Sequence, residues 1–324
     1  MRIAFEHKGI LPVLKYGGIE RILFWHMKEL AKRGHEVTLF GHPDSKVEEY
    51  GIKLIPVEGD AKKVLDTLTK KDFDIIHLTY NYEPKSEVPT LINMQCNGQI
   101  GEKFSKNSVF VSKKHANNHG SEHFIYNALD FDEYPFEPKE SDSLSSFLFL
   151  AKGSWSVKNL KHCISVCKKA KKHLHIAGGR SLMPSRFIHS HGMVGGQEKI
   201  DIMKQCDAFL FPVRWHEPFG IAIIEAMAMG MPVFGGPYGS LPELITEESG
   251  RVCNNKEELL QAVSQTKNDF SASKIRAYVE ENFSIARLTD EYLAYYEKLA
   301  LGESLHKDHP SWKLSHSPED LLDF

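Results

Sequence analysis

The sequence predicts an α/β protein built as two lobes, each organised around a parallel sheet. Three observations carry that prediction. The 324 residues are two domains' worth at ~150 residues each. Short β-like runs alternate with helical ones, the order that gives parallel sheets covered on both faces. A polar stretch bearing Pro and Ser at 137–146 interrupts the alternation, which then restarts, as expected of an interdomain linker.

In the first lobe, Arg2-Ile3-Ala4-Phe5 reads as an opening strand. Gly17-Gly18 follow in a loop, and 19–33 then carries Ile22, Leu23, Met27, Leu30 and Ala31 at helical spacing. Gly34 is placed to end that helix. A strand at 36–40 runs through Val37, Leu39 and Phe40. Further β-like runs lie at 53–57, 75–78, 90–93, 108–111 and 124–126, with a helical stretch at 61–69. After the linker come a strand at 147–151, a helix at 160–172 and a strand at 173–177 closed by Gly178-Gly179. A helix at 198–206, a strand at 208–212, a helix at 220–229 and a strand at 232–235 follow. Helices are predicted at 257–266, 273–281 and 285–301, and the polar tail from Gly302 is left unassigned. The expected organisation is two Rossmann-like lobes facing a cleft, as domains 1–140 and 146–290. A final helix and tail at 291–324 are expected to cross back to the first lobe.

Composition narrows the function classes. Forty Lys+Arg against 43 Asp+Glu give a net charge of -3, so no overall field draws the chain to nucleic acid, and an anionic ligand needs a local site. With 41% apolar and 26% charged residues the usage is globular, neither disordered nor collagenous. No apolar run approaches the roughly 18 residues of a membrane span, and the first five residues are too few for the apolar region of a signal peptide. Five unpatterned cysteines fit a reducing cytoplasm. Cys163 and Cys167, one helical turn apart, read as buried small hydrophobes because no second Cys pair accompanies them. Lys103, Lys106, Lys113 and Lys114 form a mild basic patch. Its default reading is a solvated face, against weak contact with anionic lipid at the inner face of a membrane or with a phosphorylated acceptor.

The most informative segment is Arg214-Trp-His-Glu217-Pro-Phe-Gly-Ile-Ala-Ile-Ile-Glu225. Its two glutamates are two helical turns apart and can share one face. Pro218 keeps Glu217 out of the helix, at its mouth. Gly220 opens the helix, whose unpaired N–H groups and dipole suit an anion. Carboxylates accept pairs of hydroxyl hydrogen bonds, as from a sugar or ribose. The bland alternative is one capping and one solvated glutamate.

This stretch resembles the Glu-x7-Glu signature of retaining GT-B glycosyltransferases of family four. Gly17-Gly18-Ile-Glu-Arg21, Asp74-Ile-Ile-His77, Ile125-Tyr-Asn127-Ala-Leu-Asp130, Leu148-Phe-Leu-Ala-Lys152, Lys158-Asn159, Pro232-Val, Gly239, Pro242-Glu243 and Gly250 resemble that family's other signposts in order. The resemblance implies a GT-B fold and a UDP- or GDP-type nucleotide sugar as donor. Glu217, with the backbone of Phe219, Gly220 and Ile221, would hold the donor sugar and distal phosphate. Glu225 would accept from the ribose, and Met193 and Val194 would lie at the base. Lys152 and Lys158 would meet the leaving diphosphate, and Gly17 and Gly18 would approach it from the first lobe. Lys152 stands where the family has Arg, and its spacing to Lys158 is one residue longer. Ammonium groups neutralise the diphosphate without Arg's bidentate fork.

A second departure lies in the first lobe. The family's His, counted from Pro89, is Gln95 here, and a second His position is Thr79. Gln95 can hydrogen-bond a sugar hydroxyl but cannot act as a base. In the family's front-face mechanism the donor phosphate takes the acceptor proton, so the change need not abolish transfer. Other motifs are read as structural. His119-Gly-Ser-Glu122-His123 matches an inverted metalloprotease pattern, but Gly120 weakens the helix it needs, and an exposed polar connector is expected. Asp72-Phe-Asp74 and Asp130-Phe-Asp132 spell Asp-x-Asp at signpost positions, and His189-Ser-His191 is placed on a surface loop. No metal or other cofactor is expected. The expected activity is retaining transfer of a sugar to an acceptor hydroxyl. A nucleotide-sugar epimerase and a non-catalytic nucleotide-sugar-binding subunit are the alternatives.

Overall fold

Strand β1 (Arg2–His7) buries Ile3, Ala4 and Phe5 completely, as a strand covered on both faces must. The computed structural model describes residues 1–13, 17–138, 142–181, 185–265 and 267–324. Helix α1 (Gly18–Lys32) turns Ile22, Leu23, Met27 and Leu30 inward. It ends at Gly34, φ 84°, where the N–H groups of Gly34 and His35 close back on Ala31 and Leu30, a C-terminal cap that favours glycine. Strands β2 (Glu36–Gly41) and β3 (Ile52–Pro56), helix α2 (Ala61–Leu65), strands β4 (Ile75–Leu78), β5 (Thr90–Met94) and β6 (Ser108–Phe110), and helix α3 (Lys113–Asn118) follow. Among the described residues the strands form one parallel sheet in the order β3-β2-β1-β4-β5-β6.

The alternation then repeats through β7 (Ser146–Leu150), α4 (Leu160–Ala170), β8 (His173–Ala177), β9 (Ile188–Gly192), α5 (Gly196–Lys204), β10 (Ala208–Phe211) and α6 (Ile221–Ala228). It continues with β11 (Val233–Gly235), α7 (Leu241–Leu244), β12 (Gly250–Val252), α8 (Lys256–Ser264) and α9 (Ala272–Asn282). The second sheet runs β12-β11-β10-β7-β8-β9, also parallel. Both sheets therefore have the doubly wound Rossmann order, which reverses between the first and fourth strands of each. The second core joins Phe147, Phe149, Leu174, Leu210 and Phe234, with Cys163 and Cys167 buried among them. None of the five cysteines is in a disulfide, and Cys96 is exposed.

The chain divides into two units, 1–129 with Ile285–Ser315 and Asp130–Ser284 with His316–Phe324, leaving aside undescribed residues. The change of unit at Leu129 precedes the expected 137–146 linker, because Tyr134 is buried with its hydroxyl on Glu225 of the second unit. Residues 139–141 of that linker lie outside the described residues, as does Thr266 at the end of the expected 257–266 helix. Helix α10 (Ile285–Ala300) belongs to the first unit, packed on α1, β4 and β5. Two sequence-based expectations differ. The 124–126 run makes only a bridge from Phe124 to Phe110. The 61–69 helix stops at Leu65, because Asp66 turns to accept from the Tyr82 hydroxyl and the Lys85 N–H.

Helix α10 completes a buried polar network in the first unit. Tyr296 Oη lies 2.9 Å from His26 Nε2 and 2.5 Å from His77 Nδ1, and Thr289 Oγ1 lies 3.0 Å from His26 Nδ1. Burial pushes the His77 imidazole down to about 3 and holds His26 and His115 well below the usual histidine range. The folded state excludes the proton that the unfolded chain binds below about pH 6.5, so stability falls as pH drops through that window toward 3. His77 alone should cost about 2 kcal/mol between pH 7 and pH 5. Urea midpoints of wild type and His77→Gln at the two pH values check this, and an equal pH dependence in both proteins would contradict it.

Candidate active site

In an open doubly wound sheet, ligands bind beyond the carboxyl ends of the strands at the point where strand order reverses. In the second unit that point lies between β7 and β10. The loop after β7 is fixed by close backbone approach. Gly153 donates to the Gly178 carbonyl at 2.8 Å, and a Cβ on Gly178 would stand 2.2 Å from the Ala151 oxygen. The 3-10 turn Ser156–Lys158 ends at Asn159, which has φ 61°. The Asn159 amide donates to the Pro212 carbonyl at 2.8 Å, and the Arg214 N–H donates to the Val157 carbonyl at 2.7 Å. These bonds hold Lys158 against the loop after β10.

Two charges meet there. Lys158 Nζ lies 2.5 Å from Glu217 Oε2, and the Trp215 indole N–H donates to the same oxygen at 2.7 Å. The two side chains are only 11% and 9% exposed. The ammonium also lies 4.8 Å from the ring centroid of Trp215 and 5.2 Å from that of Phe211, a cation–π setting that supports a partly desolvated charge. Glu217 Oε1 takes no hydrogen bond from the described residues, so it can accept a hydroxyl. Lys158 is in turn the natural partner for developing negative charge beside that hydroxyl.

Glycine and serine from beyond β11 set the position of Glu217. Ser240 donates its N–H to the Glu217 carbonyl at 3.0 Å and its hydroxyl to the Phe219 carbonyl at 2.6 Å. Gly239 has φ 67°, and a Cβ there would lie 2.2 and 2.3 Å from the Glu217 carbonyl oxygen and nitrogen. Gly239→Ala is thus expected to displace Glu217 and to lower kcat by about tenfold to 10²-fold, since an ångström of misplacement can cost about 10²-fold. Steady-state kinetics check it; unchanged kcat and KM would contradict it. Gly220, at φ 85°, turns the chain into α6. Phe219 is buried against Phe283, their ring centroids 5.9 Å apart.

The second glutamate has a separate partner set. Glu225 is 4% exposed. Its Oε1 lies 2.7 Å from Lys199 Nζ on α5 and accepts the Tyr134 hydroxyl at 2.5 Å. Lys199 also reaches the Tyr134 hydroxyl at 3.3 Å. Arg276 on α9 donates to the carbonyls of Tyr134 and Ala228, both at 2.8 Å, which fastens Tyr134 to the end of α6. An ion pair this buried is held only where further hydrogen bonds satisfy it, and the tyrosine supplies one.

The family model of glycosyl transferases group 1 matches residues 145–269, the segment that carries Lys158, Lys199, Glu217 and Glu225. This segment is similar to the glycosyl transferases group 1 domain. The group 1 domain accounts for most of the second unit, and the whole chain superposes on GT-B glycosyltransferases. It covers 96% of this chain and 99% of AviGT4, a glycosyltransferase involved in avilamycin A biosynthesis, with a TM-score of 0.75 at 18% identity. It covers 93% of this chain and all of Anabaena HepE in complex with UDP-glucose, with a TM-score of 0.64 at 16% identity. In sequence, spore coat protein SA of Bacillus subtilis is 28% identical over 136 residues, which are 39% of this chain and 35% of that protein. The chain spans between 20% and 35% of the length of the curated relatives it matches.

The structure brings together only some of the residues singled out from sequence. Lys158, Glu217, Phe219, Gly220 and Ile221 form one continuous corner of the group 1 domain. Lys152 is exposed, its ammonium 5.1 Å over the Trp155 ring. Val194 is buried, whereas Met193 is 57% exposed. Gly17, Gly18 and Gln95 lie in the first unit. Gly17 caps α1 at φ 156°, where a Cβ would stand 2.9 Å from Glu20 Oε2. Both hydrogens of the Gln95 amide are used, on Asn93 and Asn127 at 3.0 Å, and its oxygen accepts from Asn127 at 2.9 Å. The amide can therefore donate to a sugar hydroxyl only by giving up one of these bonds, while its oxygen keeps a second lone pair as acceptor.

Two expectations need correction. The residues His115 and His119 are buried rather than an exposed connector. His119 Nε2 accepts from the Gly98 N–H at 2.9 Å and its Nδ1 faces the His115 carbonyl, while His123 faces Tyr295 and the Leu305 carbonyl. His189 and His191 sit in strand β9, not on a loop. Among the described residues no group of three or more His, Cys, Asp or Glu is placed to hold a metal, and no helix is long and apolar enough to cross a membrane. Sequence reading missed Lys199, Tyr134, Trp215 and Gly239 as parts of the site. Trp215 lies within the motif and Gly239 within the family pattern; Lys199 and Tyr134 carry no local signal and meet Glu225 only through the fold.

Proposed function

We propose that the protein transfers a sugar from a nucleotide diphosphate donor, of UDP or GDP type, to an acceptor hydroxyl with retention of anomeric configuration. The observation that carries this reading is the buried Lys158–Glu217 pair at the strand-order reversal of the group 1 domain. Glu217 orients the donor sugar through Oε1, while Trp215 fixes the carboxylate. Lys158 balances charge on the leaving diphosphate, with Lys152 as a second, exposed cation. The mouth of α6 behind Gly220 adds backbone N–H groups for the distal phosphate. Glu225, held by Lys199 and Tyr134, presents the second carboxylate toward ribose. Gln95 supplies no base, so the acceptor proton leaves to the departing phosphate oxygen. HepE, a structural neighbour, has been solved with UDP and with UDP-glucose, which makes UDP the first nucleotide to test. A binder present at about 100 times its Kd raises stability by about 2.7 kcal/mol. Thermal unfolding with UDP, GDP, ADP and their sugars should therefore single out one nucleotide, and no shift with any would count against the donor class.

A further inference from the structure

We propose that the second unit carries a further anion site, a groove along α4 that takes a phosphate-bearing ligand. The groove encloses about 1100 Å3 and is lined by Lys161, Lys168, Lys169, Arg180 and Arg214, with no carboxylate among the described residues that line it. Glu217, Glu225, Lys158 and Val194 do not line it, although it shares the loop 153–156, Asn159 and Arg214 with the corner described above. Lys161, Lys168, Lys169 and Arg180 make no ion pair among the described residues. Arg214 is held in place by its Nε donating to the Leu322 carbonyl at 2.5 Å.

Local charge sharpens the case. Between Asp142 and Glu198 the sequence has no acidic residue and nine Lys and Arg, in a chain whose net charge is -3. Glu257 does act on His162 at the groove, but Lys256 and Arg214 act on the same ring in the opposite sense. Lys161 and Lys168 are seven residues apart on α4, with Ser165 between them on the same face. Unpaired cations converging in a concave site raise the local concentration of anions. A phosphate group answers both donor types, since its oxygens accept an arginine fork and ammonium point charges together. Trp155 and Leu321, 44% and 46% exposed, give the groove apolar walls for the carrier of that phosphate. A phosphorylated saccharide and a phospholipid headgroup share this chemistry.

Calorimetric titration with tripolyphosphate tests the site. Wild type should bind, and Lys161→Ala/Lys168→Ala/Lys169→Ala should bind at least about tenfold more weakly, with tighter binding at low salt. Binding should persist with the selected nucleoside diphosphate in excess, which fills the Lys158–Glu217 corner, and Arg180→Glu should reproduce the loss with the unfolding midpoint unchanged. Two further arms separate the sources. Co-sedimentation with phosphatidylglycerol vesicles but not phosphatidylcholine vesicles, lost in the triple variant, assigns a lipid headgroup. Binding of glucose 6-phosphate, lost in the same variant, assigns a soluble phosphate ester. Triple-variant binding equal to wild type, loss of binding when the nucleoside diphosphate is in excess, or no binding of any probe would overturn the proposal.

Discussion

Glu217→Gln is expected to lower kcat by about 10²- to 10³-fold, the range seen when a preorganised polar group is removed from a reacting centre. The substitution keeps the shape of the side chain and an oxygen for the Trp215 indole. It removes the charge that balances Lys158 and that gathers the donor hydroxyls. KM for the donor should change less than kcat if the pair acts mainly on the transition state. Lys158→Met should fall in the same range, and the double variant should cost much less than the sum, since the residues act as one unit. Steady-state kinetics with the nucleotide sugar selected by thermal unfolding supply the check. A Glu217→Gln protein with wild-type kcat would reduce the pair to a structural feature.

The second large effect is on stability. Lys199→Met removes the ammonium that meets Glu225 Oε1 at 2.7 Å and leaves the Tyr134 hydroxyl on that oxygen. Removing one member of a buried pair costs about 3–5 kcal/mol. Adding Glu225→Gln removes the carboxylate charge and should recover more than half of the loss. Tyr134→Phe alone should cost about 1–3 kcal/mol, the price of an unmet buried hydrogen bond. Urea denaturation of the four proteins measures these differences, and a Lys199→Met protein as stable as wild type would contradict the pairing.

Much of the fold was legible because its strands are short apolar runs and its helices carry ordinary termination signals. Gly34 is the clearest case, a glycine that closes α1 where sequence reading placed it. The run at 124–126 has the same apolar look as a strand but pairs with Phe110 alone, and pairing is a property of the partner rather than of the run. The same limit applies to the site. Glu217 could be placed at a helix mouth because Pro218 and Gly220 are adjacent to it in sequence. Its contact with Lys158 spans 59 residues, and the Glu225 contact with Tyr134 spans 91, so neither could be read from local spacing. Gln95 shows the converse. Its departure from the family pattern was visible, but its commitment to Asn93 and Asn127 was not, because the three amides come together only when β5 and the segment at Asn127 fold.

The central claim is sugar transfer with retention at the Lys158–Glu217 corner, and proton NMR of the first product formed tests it most directly. Wild type incubated with the selected nucleotide sugar and an acceptor panel is expected to give a glycoside with the donor's own anomeric configuration. Glu217→Gln is expected to give little product in the same time. An inverted anomer, or a changed donor sugar formed without acceptor, would contradict the claim.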